Sequence, residues 1–141
     1  MKRTASALWH GDLKKGNGAL TTQSGVLKGT PYSFATRFES GTGTNPEELI
    51  AAAHAACFSM ALSAALSQKG HAPTRIHTKA TVHFGPVTGG FAISRIELET
   101  EGQVPGIDAA TFEQVAQAAK TGCPVSKALA AVEISLVAKL R

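Results

Sequence analysis

One segment of the chain, residues 49–66, is almost wholly apolar and 18 residues long. That length is the minimum for a transmembrane helix. However, alanine dominates the segment, His54, Ser59 and Ser63 interrupt it, and it has neither an aromatic belt nor flanking basic asymmetry. A helix that is apolar on every side and does not span a membrane is fully buried. We therefore predict a buried core helix and no membrane association.

Start and stop signals frame this helix. An N-cap, a proline, two acidic residues and a final glycine surround the apolar run: Thr44 or Asn45, Pro46, Glu47 with Glu48, and Gly70. The pattern predicts a helix of about six turns that ends near Gln68 or Lys69. One chain of 141 residues has few elements with which to cover such a helix on all sides. We therefore expect an obligate homodimer.

Composition limits the class of protein. Hydrophobic residues make up 43% and charged residues 17%, which excludes a disordered chain, and the length suits a single domain over residues 1–141. The net charge of +4 is scattered and aromatic residues are only 6%, so we expect no nucleic-acid partner. The N-terminus lacks the apolar stretch of a secretory signal, so we expect a cytoplasmic protein.

Alternating polar and apolar residues predict several strands. In the first third they occur at 19–22, 24–27 and 30–39, and later at 75–84, 91–100 and 132–140. Gly89 and Gly90 predict a hairpin turn, and a phase change near Ser94 and Arg95 predicts a β-bulge.

Two further helices are predicted near the C-terminus. Asp108 is the expected cap of one that runs through Lys120 and is closed by Gly122. Pro124, directly after Cys123, is expected to open the other. Strands interrupted by helices without regular βαβ alternation indicate an α+β fold.

The chain contains two cysteines, Cys57 and Cys123, which are 66 positions apart. In a cytoplasmic protein a disulfide between them would be transient and redox-active. The alternative is two unrelated buried thiols that behave as small hydrophobic residues. The spacing leaves both interpretations open.

The surroundings of the two cysteines differ. Cys123 stands at a predicted helix start, where the helix dipole favours a thiolate. Cys57 stands in the middle of the apolar helix, where burial raises the pKa of a thiol unless a cation compensates. From this context alone Cys123 is the better nucleophile. Arg37, on the non-aromatic face of its predicted strand, is a candidate cation, although a solvated strand arginine is the simpler interpretation.

No metal or cofactor site is predicted. His54 lies three residues before Cys57, so a Cys-His pair can be argued, but a core or interface histidine fits better. The remaining histidines do not cluster at ligand spacing: His10, His71, His77 and His83. Gly16 and Gly18 do not complete a phosphate-binding motif.

Three stretches resemble a known family. They are GTNPEEL at residues 43–49, AAHAACFSMAL at 52–62 and GCPVS at 122–126, and they are similar to the OsmC/Ohr family of thiol peroxidases. WHGD at 9–12, Glu39 after Arg37 and Phe38, and VPGID at 104–108 resemble its osmotically inducible (OsmC) branch.

The resemblance implies an OsmC-like fold, in which sheets wrap long buried central helices in an intertwined homodimer. It implies a peroxidase of the oxidative or osmotic stress response that reduces organic hydroperoxides, and hydrogen peroxide less well. The expected reductant is an external dithiol, for which a lipoyl-type dithiol is one candidate, and no cofactor is expected. Matched to the family's motifs, Cys57 corresponds to the peroxidatic cysteine and Cys123 to the resolving cysteine. Arg37 corresponds to the active-site arginine, and Glu47 to the glutamate that holds this arginine.

These roles reverse the ranking of the cysteines by context. A guanidinium beside Cys57 would offset the desolvation of its thiolate, and Glu47 would fix the guanidinium plane by a two-point contact. Glu47 and Cys57, however, are ten residues apart, or about 15 Å on one straight helix. Either Arg37 and Glu47 reach the Cys57 of the other subunit, or the helix does not extend straight back to Glu47.

Two other functions are consistent with the residues. One is a non-catalytic dimer that binds an apolar ligand and has inert cysteines. The other is a redox-sensing protein that forms the disulfide but turns over too slowly to protect a cell.

Overall fold

The computed structural model describes residues 1–141 as six strands and four helices. In chain order they are β1 (Ala5–His10), β2 (Asn17–Thr22), β3 (Lys28–Ser33), α1 (Phe34–Phe38), α2 (Pro46–Gln68), β4 (Arg75–Val87), β5 (Gly90–Gln103), α3 (Ala109–Gly122), α4 (Pro124–Ala128) and β6 (Glu133–Leu140). This content confirms the predicted α+β class. The chain divides into two units, Met1–Leu49 and Ile50–Arg141. The single domain over 1–141 stays a prediction.

The N-terminal unit contains an antiparallel sheet in the order β1-β2-β3. Gly18 is paired with Trp9 on one side and Tyr32 on the other, and these two rings lie 5.3 Å apart between centroids. A Cβ atom at Gly18 would collide with the Tyr32 ring. The glycine therefore lets the two aromatic side chains meet across the middle strand.

The predicted strand at 30–39 is wrong beyond Ser33, because α1 follows directly. The Ser33 hydroxyl accepts a hydrogen bond from the Thr36 N–H (3.2 Å), and the Thr36 hydroxyl accepts one from the Ser33 N–H (2.9 Å). This capping box starts a helix. Phe34 and Phe38, which also fit an alternating pattern, are four residues apart and stack at 4.6 Å. The predicted strand at 24–27 is also wrong, since these residues form the turn before β3.

The C-terminal unit contains a second sheet in the order β4-β5-β6. The hairpin of β4 and β5 turns at Thr88 and Gly89, one residue earlier than predicted, since Gly90 already pairs with Val87. Gly89 and Gly90 have φ values of 89° and 154°. The register steps from His83–Arg95 to Phe84–Ile93, so Ser94 is the extra residue of the predicted bulge. β6 runs parallel to β5, because α3 and α4 carry the chain back to the starting edge.

The predicted helix starts and the predicted end of α2 are confirmed, whereas α3 runs through Gly122 and ends at Cys123 rather than being closed by Gly122. The Asn45 side chain accepts from the Glu48 N–H (2.8 Å) at the start of α2, and Gly70 follows its end with φ 84°. Asp108 caps α3 through the Thr111 N–H (2.8 Å), and Pro124 opens α4.

The core of the C-terminal unit lies on one side of α2. Phe58, Leu62 and Leu66 of this helix are fully buried and pack with residues of the sheet and of α3: Leu98, Phe112, Val115 and Ala116. By length and composition alone α2 could cross a membrane, a test that the core helix of a soluble protein also passes.

The opposite side of α2 is exposed in the single chain, so one chain does not bury this helix on all sides. Met60 is 74% exposed, and it shares this side with small apolar residues: Ala53, Ala56 and Ala64. One chain therefore buries only one side of its most apolar helix.

The capping box of α1 can be tested by mutation. We expect Ser33→Ala to lower the free energy of unfolding by about 1 kcal/mol, because the Thr36 N–H loses its acceptor. Urea unfolding measures the change. Ser6→Ala, at an exposed position of β1, is the control and should change stability by less than about 0.5 kcal/mol. Equal stability of both variants would contradict the role of the cap.

Candidate active site

The two thiols meet in the C-terminal unit. Cys57, in the middle of α2, is half-buried, and Cys123, between α3 and α4, is fully buried. With both thiols protonated, the Cys123 S–H donates a hydrogen bond to the Cys57 sulfur at an Sγ–Sγ distance of 3.1 Å. When Cys123 is a thiolate, the Cys57 S–H is the donor. A disulfide bond is about 2.05 Å long, so an approach of about 1 Å would join them. Both cysteines are free thiols here.

The backbone holds Cys123 at the junction of two helices. Its N–H donates to the Ala119 carbonyl at the end of α3 (2.8 Å), and its carbonyl accepts from the Lys127 N–H in α4 (3.0 Å). Pro124, which has no N–H, occupies the first position of α4. These contacts fix Cys123 at the point predicted from its glycine and proline neighbours.

The two thiols titrate differently. Burial raises the pKa of the Cys57 thiol, and its contact with Cys123 adds to the increase. Burial also acts to raise the pKa of Cys123, but hydrogen bonds from Cys57 and from the N–H and hydroxyl of Ser126 outweigh it and lower that pKa. No cation is among these causes. The C-terminal unit by itself therefore favours a thiolate on Cys123, as the context of the cysteines predicts.

The N-terminal unit holds the other two predicted site residues. Arg37 of α1 donates to the Glu47 carboxylate through Nη2 (2.8 Å to Oε1) and Nε (3.2 Å to Oε2). Glu47, in the first turn of α2, is buried, whereas the Arg37 side chain is 36% exposed. The two-point contact fixes the guanidinium plane.

An aromatic pocket adjoins Arg37. Its volume is about 290 Å³, and the lining is mostly apolar: Trp9, Leu13, Tyr32, Phe34, Phe38 and Pro46, with Ser33 and Arg37. The sequence pattern did not identify Trp9 and Tyr32 as lining residues, although the WHGD stretch and the aromatic alternation near residue 32 contain them. The pocket suits an apolar molecule that carries one group able to bind a guanidinium.

Helix α2 begins before Glu47, at Pro46. The helix therefore includes Glu47, and the alternative that it does not extend straight back to this residue stays a prediction. A straight helix would span about 15 Å over the ten residues from Glu47 to Cys57.

His54 contacts Ser126 in α4, a contact that the sequence did not predict. Its Nε2 atom is 2.8 Å from the Ser126 hydroxyl, and the residue is fully buried. Burial lowers the pKa of His54, so the ring is neutral at physiological pH. No group of three or more His, Cys, Asp or Glu residues is arranged to hold a metal ion.

The sulfur distance predicts the product of oxidation. With a mild oxidant such as diamide, we expect one intramolecular Cys57–Cys123 disulfide, because the two sulfurs already touch. Mass spectrometry without reductant should find the monomer mass minus two hydrogens, and peptide mapping should link the two cysteines. Cys57→Ser should abolish the linkage. Oxidation mainly to disulfide-linked dimers would contradict the geometry.

Comparisons with known proteins agree on one family. The model of the family described as OsmC-like protein matches residues 39–137. Peroxiredoxin OsmC of Escherichia coli is 55% identical over 139 residues, which cover 99% of this chain and 96% of that protein. An organic hydroperoxide resistance protein of Xanthomonas axonopodis is 40% identical over 89 residues, which cover 62% of this chain and 61% of that protein.

A solved structure extends the similarity to the fold. The organic hydroperoxide resistance protein OhrB of Bacillus subtilis superposes with a TM-score of 0.72 at 26% identity, covering 98% of each chain. Since the family model spans more than half of the sequence and the E. coli relative matches almost all of it, this chain belongs to the OsmC-like protein family.

Proposed function

We propose that this protein reduces organic hydroperoxides with Cys57 as the peroxidatic thiol and Cys123 as the resolving thiol. It is a cysteine-based peroxidase. The observation that carries the proposal is the contact of the two sulfurs at 3.1 Å, in a chain 55% identical to a peroxiredoxin. Hydrogen peroxide is expected to be a poorer substrate, because the aromatic pocket offers apolar surface that hydrogen peroxide cannot use.

The proposed cycle has three steps. The Cys57 thiolate attacks the terminal oxygen of the hydroperoxide, the O–O bond breaks, and an alcohol and a Cys57 sulfenic acid result. Cys123 then attacks the sulfenic sulfur, and water leaves as the disulfide forms. An external dithiol, for which a lipoyl-type dithiol is our candidate, finally reduces the disulfide by exchange.

The first step requires a cation beside Cys57, because burial raises the pKa of this thiol. Arg37 is our candidate for it. Its guanidinium is already oriented by Glu47, so little ordering is lost when it binds a thiolate or a peroxide. During the reaction the same guanidinium would stabilise the charge that develops on the departing oxygen.

We further propose that Arg37 and Glu47 act on the Cys57 of a second copy. Two observations support this arrangement. First, Glu47 and Cys57 are ten residues apart on α2, and a straight helix of that length would hold them about 15 Å apart in one chain. Second, the exposed side of α2, with Met60 at its centre, is apolar and suited to burial in a homodimer.

The cellular setting follows from the chemistry. A cycle that regenerates two thiols needs a reducing compartment, so we propose a cytoplasmic enzyme that acts as one domain within a homodimer. Removal of organic hydroperoxides assigns it to the response to oxidative or osmotic stress.

Replacement of each cysteine separates their roles. With an excess of dithiol and tert-butyl hydroperoxide, we expect Cys57→Ser to consume no peroxide, because the attacking sulfur is gone. Cys123→Ser should accumulate Cys57 as sulfenic or higher acids, visible as mass increments of one or more oxygens. Peroxide consumption and intact mass are measured on the same samples.

The control is Ser94→Ala, at the exposed bulge of β5, which should turn over like the parent. Equal peroxide consumption by the parent and both cysteine variants would contradict the peroxidase and favour a carrier of apolar ligands. Disulfide formation without sustained turnover in the parent would favour a redox sensor.

Mixed dimers test the assignment of Arg37 across subunits. Arg37→Gln and Cys57→Ser should each be inactive as homodimers. A mixed dimer of the two contains one site with both Cys57 and a partner arginine, so we expect it to recover about half of the parent activity. Differently tagged chains, co-expressed and purified over both tags, supply the sample.

The matched control is a mixed dimer of the parent with Cys57→Ser, which should also have about half of the parent activity. Full loss in the Arg37→Gln/Cys57→Ser dimer, with activity in the control, would mean that Arg37 and Cys57 act within one chain.

A further inference from the structure

The Asn45 side chain lies between the two helices that carry Arg37 and Glu47. Its Oδ1 atom accepts a hydrogen bond from the Glu48 N–H (2.8 Å), and its Nδ2 atom donates one to the Thr36 carbonyl (3.1 Å). The Thr36 carbonyl belongs to the peptide group that leads into Arg37, and the Glu48 N–H belongs to the peptide group that follows Glu47. One amide therefore joins the backbone on either side of the ion pair.

Both backbone groups that Asn45 binds lie at helix ends, where the helix itself supplies no partner. α1 has only five residues, and the last carbonyls of a helix have no N–H one turn further along. The Glu48 N–H is among the first of α2, which likewise have no acceptor inside the helix. Thr36 is 7% exposed, so little water is available to replace the amide at its carbonyl.

The loop between α1 and α2 packs closely at the same place. The Thr44 N–H donates to the Pro31 carbonyl (3.1 Å), and Gly43 has a φ of 137°. A Cβ atom at Gly43 would lie 2.6 Å from the Pro31 oxygen and 2.9 Å from the Thr36 methyl group. A side chain there would push the loop away from α1, so the glycine keeps Asn45 within reach of the Thr36 carbonyl.

The two hydrogen bonds explain why asparagine occupies this position. Serine, threonine and aspartate also accept an N–H at a helix start. An ionised aspartate has acceptors alone, and a serine hydroxyl is one bond closer to the backbone than an amide nitrogen. The cap of α2 therefore tolerates several residues, whereas the bond to α1 requires the amide.

We infer that Asn45 is a positioning residue for the guanidinium: it holds α1 against the start of α2, so that Arg37 meets Glu47 through both Nε and Nη2. This inference rests on the proposed function, in which an ordered Arg37 serves the Cys57 of a second copy. A helix of five residues is not rigid by itself. Without the amide, α1 would tilt against α2, and the two-point contact would form only part of the time.

Exchange of the Arg37 Nε–H with water reports the order of this side chain without peroxide. In protein labelled with nitrogen-15 arginine, the signal that Arg37→Lys removes identifies it. We expect Asn45→Ser, which keeps a cap for α2 and loses the amide, to speed this exchange by about tenfold. Asn45→Asp, which has the shape of asparagine but no donor, should have the same effect.

Thr44→Val, one residue earlier in the loop, is the matched control. It removes the hydroxyl that donates to the Glu48 carboxylate (2.7 Å) but leaves the amide of Asn45 in place, so the exchange should match the parent. Exchange at the parent rate in both Asn45→Ser and Asn45→Asp would overturn the inference.

A double-mutant cycle separates positioning from general damage to the fold. In a Cys123→Ser background, absorbance at 240 nm gives the pKa of the Cys57 thiol. Asn45→Ser should raise this pKa by about half to one unit, but should leave it unchanged when Arg37→Gln is also present, because no guanidinium remains to be positioned. An equal rise with and without Arg37→Gln would overturn the inference, since a merely structural effect does not depend on Arg37.

The two experiments distinguish failure of the inference from failure of the proposed function. If Arg37→Gln leaves the Cys57 pKa unchanged, the proposed role of Arg37 fails, whereas the exchange of the Arg37 Nε–H still tests its positioning by Asn45. If this exchange does not respond to Asn45→Ser while Arg37→Gln raises the Cys57 pKa, only the inference fails.

Discussion

The constraint on which the proposed site depends is the opposition between burial and charge at Cys57. A peroxidatic sulfur has to be a thiolate, yet burial raises the pKa of this thiol and its neighbouring thiol adds to the increase. No cation contributes to the raised pKa of Cys57. A reactive Cys57 therefore requires a cation that is not among its neighbours in the C-terminal unit. This requirement gives a reason for a buried Glu47 that orients the Arg37 guanidinium.

The helices position two pairs of side chains, Arg37 with Glu47 and Cys57 with Cys123. The capping box at Ser33 starts the short helix that carries Arg37, and the first turn of α2 carries Glu47. The junction of α3 and α4 holds Cys123 against Cys57. Each pair is rigid because backbone hydrogen bonds and caps, rather than flexible loops, fix its members. The apolar face of α2 gives a physical reason for a second copy, which the proposed site also needs.

Local signals made much of this structure predictable. Four features depend on a few neighbouring residues each and were predicted correctly: the cap at Asp108, the proline of α4, the ends of α2 and the bulge at Ser94. The strand predicted through Phe38 failed because phenylalanines four residues apart satisfy both a strand and a helix pattern. The contact of Cys57 with Cys123 came only from the family resemblance, because it depends on closing 66 residues of chain. The contact of Ser126 with His54 could not be predicted either, because 72 positions separate the two residues.

The most direct test is a titration of the Cys57 thiolate by its absorbance at 240 nm, in a Cys123→Ser background with and without Arg37→Gln. We expect a Cys57 pKa below the ordinary cysteine value of about 8.5 when Arg37 is present, and a rise of about one to three units in Arg37→Gln. Arg95→Gln, at an exposed position of β5, serves as the control and should leave the titration unchanged. A Cys57 pKa that is the same with and without the Arg37 guanidinium would contradict the central claim.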